Sequence, residues 1–156
     1  MGKELQECID KLNYFSELFV KHTPFNNIET YLKENFNCDY ISKEYIDFMN
    51  FSDGMTIGDI TLLSAKEKNS LTKTFEKFSK DEDVDLFCEL LNVKSKKSNL
   101  LFIAITDSGD RYGIIKNKES EEVVGLLKDY PEAVVIYESF SSWLMEQINK
   151  AIGKYL

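Results

Sequence analysis

Residues 100–116 read LLFIAITDSGDRYGIIK. An apolar run reaches the turn Asp107-Ser108-Gly109-Asp110, and a second run carrying Tyr112, Ile114 and Ile115 leaves it. Two β-rich runs joined by a short Gly-containing turn form the pattern of a β-hairpin. Aspartate in such a turn bonds its own backbone, and glycine supplies the positive φ. An antiparallel pair over 100–106 and 111–116 is therefore the anchor of the fold, and no catalytic group stands beside it.

Working outward, AVVIY at 133–137 reads as a β-branched strand. Ser139 or Ser141 then caps a last helix whose Phe140, Trp143, Leu144, Ile148 and Ile152 share one face. Val123, Val124 and Leu126, between the polar turn NKESEE and the turn Asp129-Tyr130-Pro131, fit a further strand or a short helix. Upstream, residues 58–64, GDITLLS, alternate as a strand through Ile60 and Leu62, after a turn at Ser52-Asp53-Gly54. Residues 65–93 carry helical spacing, with an acidic break at 80–85, and 94–98 is a solvated loop.

Nearer the N-terminus, Leu5, Ile9, Leu12, Phe15 (with Tyr14) and Phe19 recur at steps of three and four, which predicts one helix over 3–20. Thr23-Pro24 reads as a cap followed by a first-turn proline, opening a second helix to about residue 36. Ser42 caps a short third helix with Tyr45, Ile46, Phe48 and Met49 inward. Helices, strand, helices, hairpin, strand and helix in that order predict an α+β fold with a mainly antiparallel sheet. The chain of 156 residues makes one domain, 1–156, with 1–36 as a helical N-terminal extension packed on it.

Composition narrows the function. Twenty-seven acids against 19 bases give a net charge of −8, which repels a phosphate backbone, so no nucleic-acid partner is expected. Cys8, Cys38 and Cys88 are scattered without a CxxC pair, which fits a reducing cytoplasm and small buried hydrophobes rather than a zinc site. The N-terminus MGKELQECIDKL has no apolar leader segment, and no window approaches the roughly 18 apolar residues of a membrane span.

Catalysis finds little support. The single histidine, His22, leaves a triad or multi-His metal site without a second imidazole. No GxGxxG or GxxxxGK[ST] occurs to cradle phosphate. Asp53, Asp59, Asp107 and Asp110 could hold a hard cation if their turns converged, but aspartate beside Ser-Gly or Gly serves its turn's own hydrogen bonds more often. No enzyme, cofactor or metal is expected.

Three stretches carry a resemblance. A Tyr45-Ile46-Asp47-Phe48 helix ends at Asp53-Gly54; an Ile103-Ala104 strand enters Gly109-Asp110 with Tyr112 beyond; Val134-Val135-Ile136 leads to Ser139-Phe140, Trp143 and Leu144. In this order and spacing the chain resembles the SUKH superfamily, Smi/Knr type, over residues 40–150. It departs in having Ile41-Ser42 where relatives carry Leu-Pro. The resemblance implies a curved, mostly antiparallel sheet flanked by helices. It also implies a non-catalytic cytoplasmic immunity protein, a monomer or weak dimer, that binds a cognate bacterial toxin, often a nuclease. The alternative it implies is a general interaction scaffold of the same fold. A nuclease must be basic to hold its substrate, and an acidic inhibitor complements it. The candidate contact groups are then Asp53, Asp59, Asp107, Asp110, Glu119, Glu121 and Glu122, with Tyr112 as an aromatic anchor. Asp110 and Tyr112 have an equal claim as determinants of the fold.

Overall fold

The computed structural model describes residues 1–36, 38, 40–66, 100–116, 119–127, 129 and 134–155. Seven strands form one sheet in the order of the chain, and every neighbouring pair is antiparallel. They are β1 (Phe19–Lys21), β2 (Met55–Ile57), β3 (Ile60–Leu62), β4 (Leu100–Thr106), β5 (Arg111–Ile115), β6 (Val123–Leu126) and β7 (Val134–Tyr137). Among the described residues four helices flank it: α1 (Lys3–Tyr14), α2 (Ile28–Phe36), α3 (Lys43–Phe51) and α4 (Phe140–Tyr155). The α+β class and the antiparallel sheet stand as expected.

Strands β4–β6 show why the decisive stretch is apolar without alternation. On the helix side lie Leu101, Ala104, Tyr112, Ile114 and Val123; on the opposite side Leu100, Phe102, Ile115, Val124 and Leu126 are buried as well. A strand buried on both faces reads as a continuous hydrophobic run. The outer strands β2 and β3 keep the alternation, with Thr56 and Thr61 between buried neighbours. A register shift between Phe102 and Ala104 inserts Ile103 as a bulge, whose carbonyl accepts the Leu63 N–H at 2.9 Å.

The helices close over one face. Helix α4 packs against α1, α3, β2 and β7, and α2 packs against α3. The three stretches noted above meet there. Phe140 stands 5.4 Å, ring centroid to ring centroid, from both Tyr45 and Phe48, and Trp143 stands 5.7 Å from Phe140 and 5.4 Å from Tyr112. All five side chains are buried, and burial of a phenylalanine contributes roughly 1.5–3 kcal/mol.

Several local expectations need correction. The helix foreseen over 3–20 ends at Tyr14; a 3₁₀ turn over Ser16–Leu18 follows, and Phe19–Lys21 pairs with β2. Phe19 and Val20 fit a strand as well as a helix, and sheet pairing decides. Tyr14 lies outside the buried face, 82% exposed. The first 36 residues therefore supply a strand of the sheet as well as helices. Thr23-Pro24 does not open α2, because Asn27 adopts φ +58° and the helix begins at Ile28. The strand read over 58–64 is β3, and a further strand that the sequence did not show, β2, precedes it, the chain reversing between them at Gly58 (φ +61°) and Asp59. Val123–Leu126 is a strand. The cap of α4 is Ser139, whose Oγ accepts the Ser142 N–H at 3.1 Å. Of the helical reading of 65–93, Ala65 and Lys66 open a helical turn; the rest, Cys88, and the 94–98 loop lie outside the described residues.

Candidate functional site

The β2–β3 and β4–β5 turns stand side by side. In the latter, Thr106 organises the chain: its carbonyl accepts the Gly109 N–H at 3.0 Å, its N–H donates to the Asp110 carbonyl at 2.9 Å, and its Oγ1 accepts the Asp110 N–H at 3.0 Å. Gly109 carries φ +97°. The Asp107 N–H donates to the Asp59 carbonyl at 3.1 Å, which binds one turn to the other. Asp59 and Asp107 are exposed and Asp110 half-buried.

A carboxylate of α4, Glu146, acts on the same tyrosine as two of these aspartates. Burial raises the Tyr112 phenol above its ordinary value, and the nearby charges of Asp110, Glu146 and Asp59 push it further in the same direction. Glu146 accepts the Tyr137 hydroxyl at 2.6 Å and lies 3.7 Å from the Lys150 ammonium. Tyr137 is likewise raised, by burial and then by the bond to Glu146. Glu146 is absent from the sequence reading, since helical spacing in α4 marks only the apolar face and gives no sign of which strand end lies beside it.

The other foreseen contact groups are elsewhere. Asp53 is half-buried at the opposite end of β2, where its Oδ1 accepts the Ala65 N–H at 2.8 Å. Gly54 beside it has φ +79°, and a Cβ there would lie 2.6 Å from the Leu62 carbonyl oxygen. Glu121, in the loop between β5 and β6, accepts hydroxyl protons from Tyr40 and, at 2.5 Å, from Ser42. Ser42 in turn caps α3 by accepting the Tyr45 N–H at 3.3 Å. The bond to Glu121, more than burial, pushes the Tyr40 phenol up to about 12. Glu119 and Glu122 are exposed in the same loop, at the end of β5 remote from Asp110. Tyr112 is 8% exposed and lies across Gly125 against Trp143. The structure thus brings together Asp59, Asp107 and Asp110. It leaves Glu119 and Glu122 as a second acidic edge and uses Asp53, Glu121 and Tyr112 within the fold.

Two further features have a definite chemistry. The first turn of α4 receives carboxylates from two other helices. The Ser141 N–H donates to Glu44 and its Oγ donates to Glu4, each at 3.3 Å, which suits the positive end of a helix. The Cys8 thiol donates to the Ser141 carbonyl at 3.4 Å, and burial together with Glu44, Glu7 and Glu4 pushes it up to about 12. Between α2 and α3, clefts of about 510 and 400 Å³ adjoin at Glu29, Ile46 and Asn50. Their charged lining is balanced, Lys33 and Lys43 against Glu29 and Asp47, with Lys33 and Glu29 paired at 3.1 Å.

His22 is exposed, its N–H donating to Ser52 Oγ at 3.0 Å, and Cys8 and Cys38 are buried. Among the described residues no group of three or more His, Cys, Asp or Glu is arranged to hold a metal ion, and no helix is long and apolar enough to cross a membrane. No protein-family model matches the chain, and no curated protein matches it at a significant level.

Proposed function

We propose that this chain is a non-catalytic cytoplasmic immunity protein of the SUKH, Smi/Knr type, which neutralises a basic toxin by binding it at the acidic rim. The observation that carries the reading is the Asp107 N–H to Asp59 carbonyl bond, which joins two turns and sets Asp59, Asp107 and Asp110 on one rim. The meeting of all three resemblance stretches in one aromatic cluster supports the family reading. The charge of −8 supports a cationic partner, whose capture it accelerates at low salt.

The test is to express the product of the neighbouring gene in a naive host with and without this chain, then to measure association of the two purified proteins across ionic strength. Growth arrest relieved by this chain is expected, together with a salt-sensitive association rate. Replacing Asp59, Asp107 and Asp110 together by lysine is expected to slow association by about tenfold or more at low salt while changing dissociation far less. A harmless neighbour that forms no complex would refute the immunity reading. An association rate unaffected by the triple substitution would refute the rim.

A further inference from the structure

Strand β7 ends the sheet. It bonds β6 through the four register pairs Val134 with Leu126, Val135 with Gly125, Ile136 with Val124 and Tyr137 with Val123, without a shift, and among the described residues nothing pairs with its other side. Edge strands are normally blunted by lysine, proline, a bulge or extreme shortness, because an open ladder of N–H and C=O groups recruits other chains. The opposite edge, β1, follows that rule: it is three residues long and carries Lys21, whose ammonium sits 4.2 Å from the centre of the Phe51 ring. Strand β7 is one residue longer and carries neither lysine, proline nor bulge. Its four residues hold no charge, no proline and no bulge, and Ile136 is 52% exposed on the face away from the helices.

We propose that the open edge of β7 is a strand-docking site that takes an extended, cationic segment of a partner protein as an eighth strand. Main-chain bonds supply the adhesion in such additions, and alternate side chains supply the choice of partner. Ile136 offers the apolar contact. Charge selects the occupant: exposed Glu138 follows the strand directly, and exposed Glu146 accepts the hydroxyl of its last residue, Tyr137, at 2.6 Å, so a segment added there meets carboxylates. A second copy would instead bring another edge with the same acids and another net charge of −8. The cationic character of the occupant rests on the reading given under Proposed function; the docking edge does not.

The experiment follows amide hydrogen exchange of the full chain by NMR in the presence of a short peptide of alternating threonine and valine with a lysine at each end. Controls are the same peptide with glutamate ends and the lysine peptide N-methylated at alternate residues. The lysine peptide is expected to slow exchange at the β7 amides that face away from β6, and to bind about tenfold or more tighter than the glutamate peptide at low salt. N-methylation is expected to abolish that protection, and Ile136→Lys, at an exposed position, to weaken binding with the unfolding midpoint within a few degrees of wild type. Absence of protection at β7, equal binding of the N-methylated peptide, or protection confined to the Asp59–Asp107 rim overturns the proposal. So does sedimentation showing β7 already closed by a second copy. A toxin complex that leaves β7 exchanging freely would overturn the edge alone. Protection by the peptide without any toxin complex would instead sink the immunity reading.

Discussion

At Gly54 a single hydrogen atom decides whether the chain fits. Its φ of +79° and the 2.6 Å and 2.8 Å that would separate a Cβ from the Leu62 oxygen and the Ser64 nitrogen leave no room for a side chain, because the obstacles are backbone atoms. Gly54→Ala is expected to cost about 3 kcal/mol in urea unfolding, combining backbone strain with overpacking. Gly153→Ala, in α4 with nothing within 4 Å, is expected to gain about 0.5–1 kcal/mol by the same measurement. The Ser52-Asp53-Gly54 turn was legible from the sequence. The clash behind it was not, since that depends on where β3 returns. The same holds for Asp53, which reads as a surface acid until Ala65 is brought to its carboxylate.

Among elements, α3 is tied to the sheet at its first turn. Ser42 caps the helix and also donates to Glu121 in the β5–β6 loop. Ser42→Ala is expected to cost about 1–2 kcal/mol, a lost cap and a lost bond together. Measured in a double-mutant cycle with Glu121→Ala, the two changes are expected to be non-additive by about 0.5 kcal/mol or more, since each removes the same contact. In Glu121→Gln the Tyr40 phenol, held at about 12 chiefly by its bond to that carboxylate, is expected to titrate nearer its ordinary value by ultraviolet absorbance. A Tyr40 titration that stays in place would refute this account of the shift.

The elements also show where sequence patterns stop. Ser42, Tyr45, Phe48 and the 100–116 hairpin were readable because cap, periodicity and turn chemistry agree there. Strand β2 was not, since Met55-Thr56-Ile57 is too short to show a period before Gly58 reverses it. Strand β1 hid inside a helical spacing that Phe19 happens to complete. The acidic residues could be named but not sorted into rims, because their neighbourhoods are set by strand order.

Across the whole molecule, alkaline pH is the condition under which several buried groups act together. The Cys8 thiol, ordinarily ionising near 9, is pushed up to about 12, so the folded chain holds a proton that the unfolded chain releases. Its contribution to stability is complete below pH 9 and is lost as pH rises toward 12. Tyr45, Tyr112 and Tyr137 are raised too and extend the loss above pH 10. Thermal melting is therefore expected to begin falling near pH 9, and Cys8→Ala is expected to postpone that onset. Identical alkaline profiles for the two proteins would refute the assignment.

A sheet whose strands follow chain order also dictates how its assembly is divided in time. Residues 100–155 hold four consecutive strands joined by short connections and the helix that covers them, so this portion can zip up through local hairpins. The β2–β3 hairpin and β1 join only after the long excursions 63–99 and 22–54 bring their ends together, which is the slower kind of event. Substitutions in the β4–β5 hairpin are thus expected to retard refolding, whereas those at the β1–β2 seam chiefly hasten unfolding. Stopped-flow kinetics on Ile114→Val and Ile57→Val would resolve the two. The C-terminal third is then expected to be the template on which the first three strands are laid.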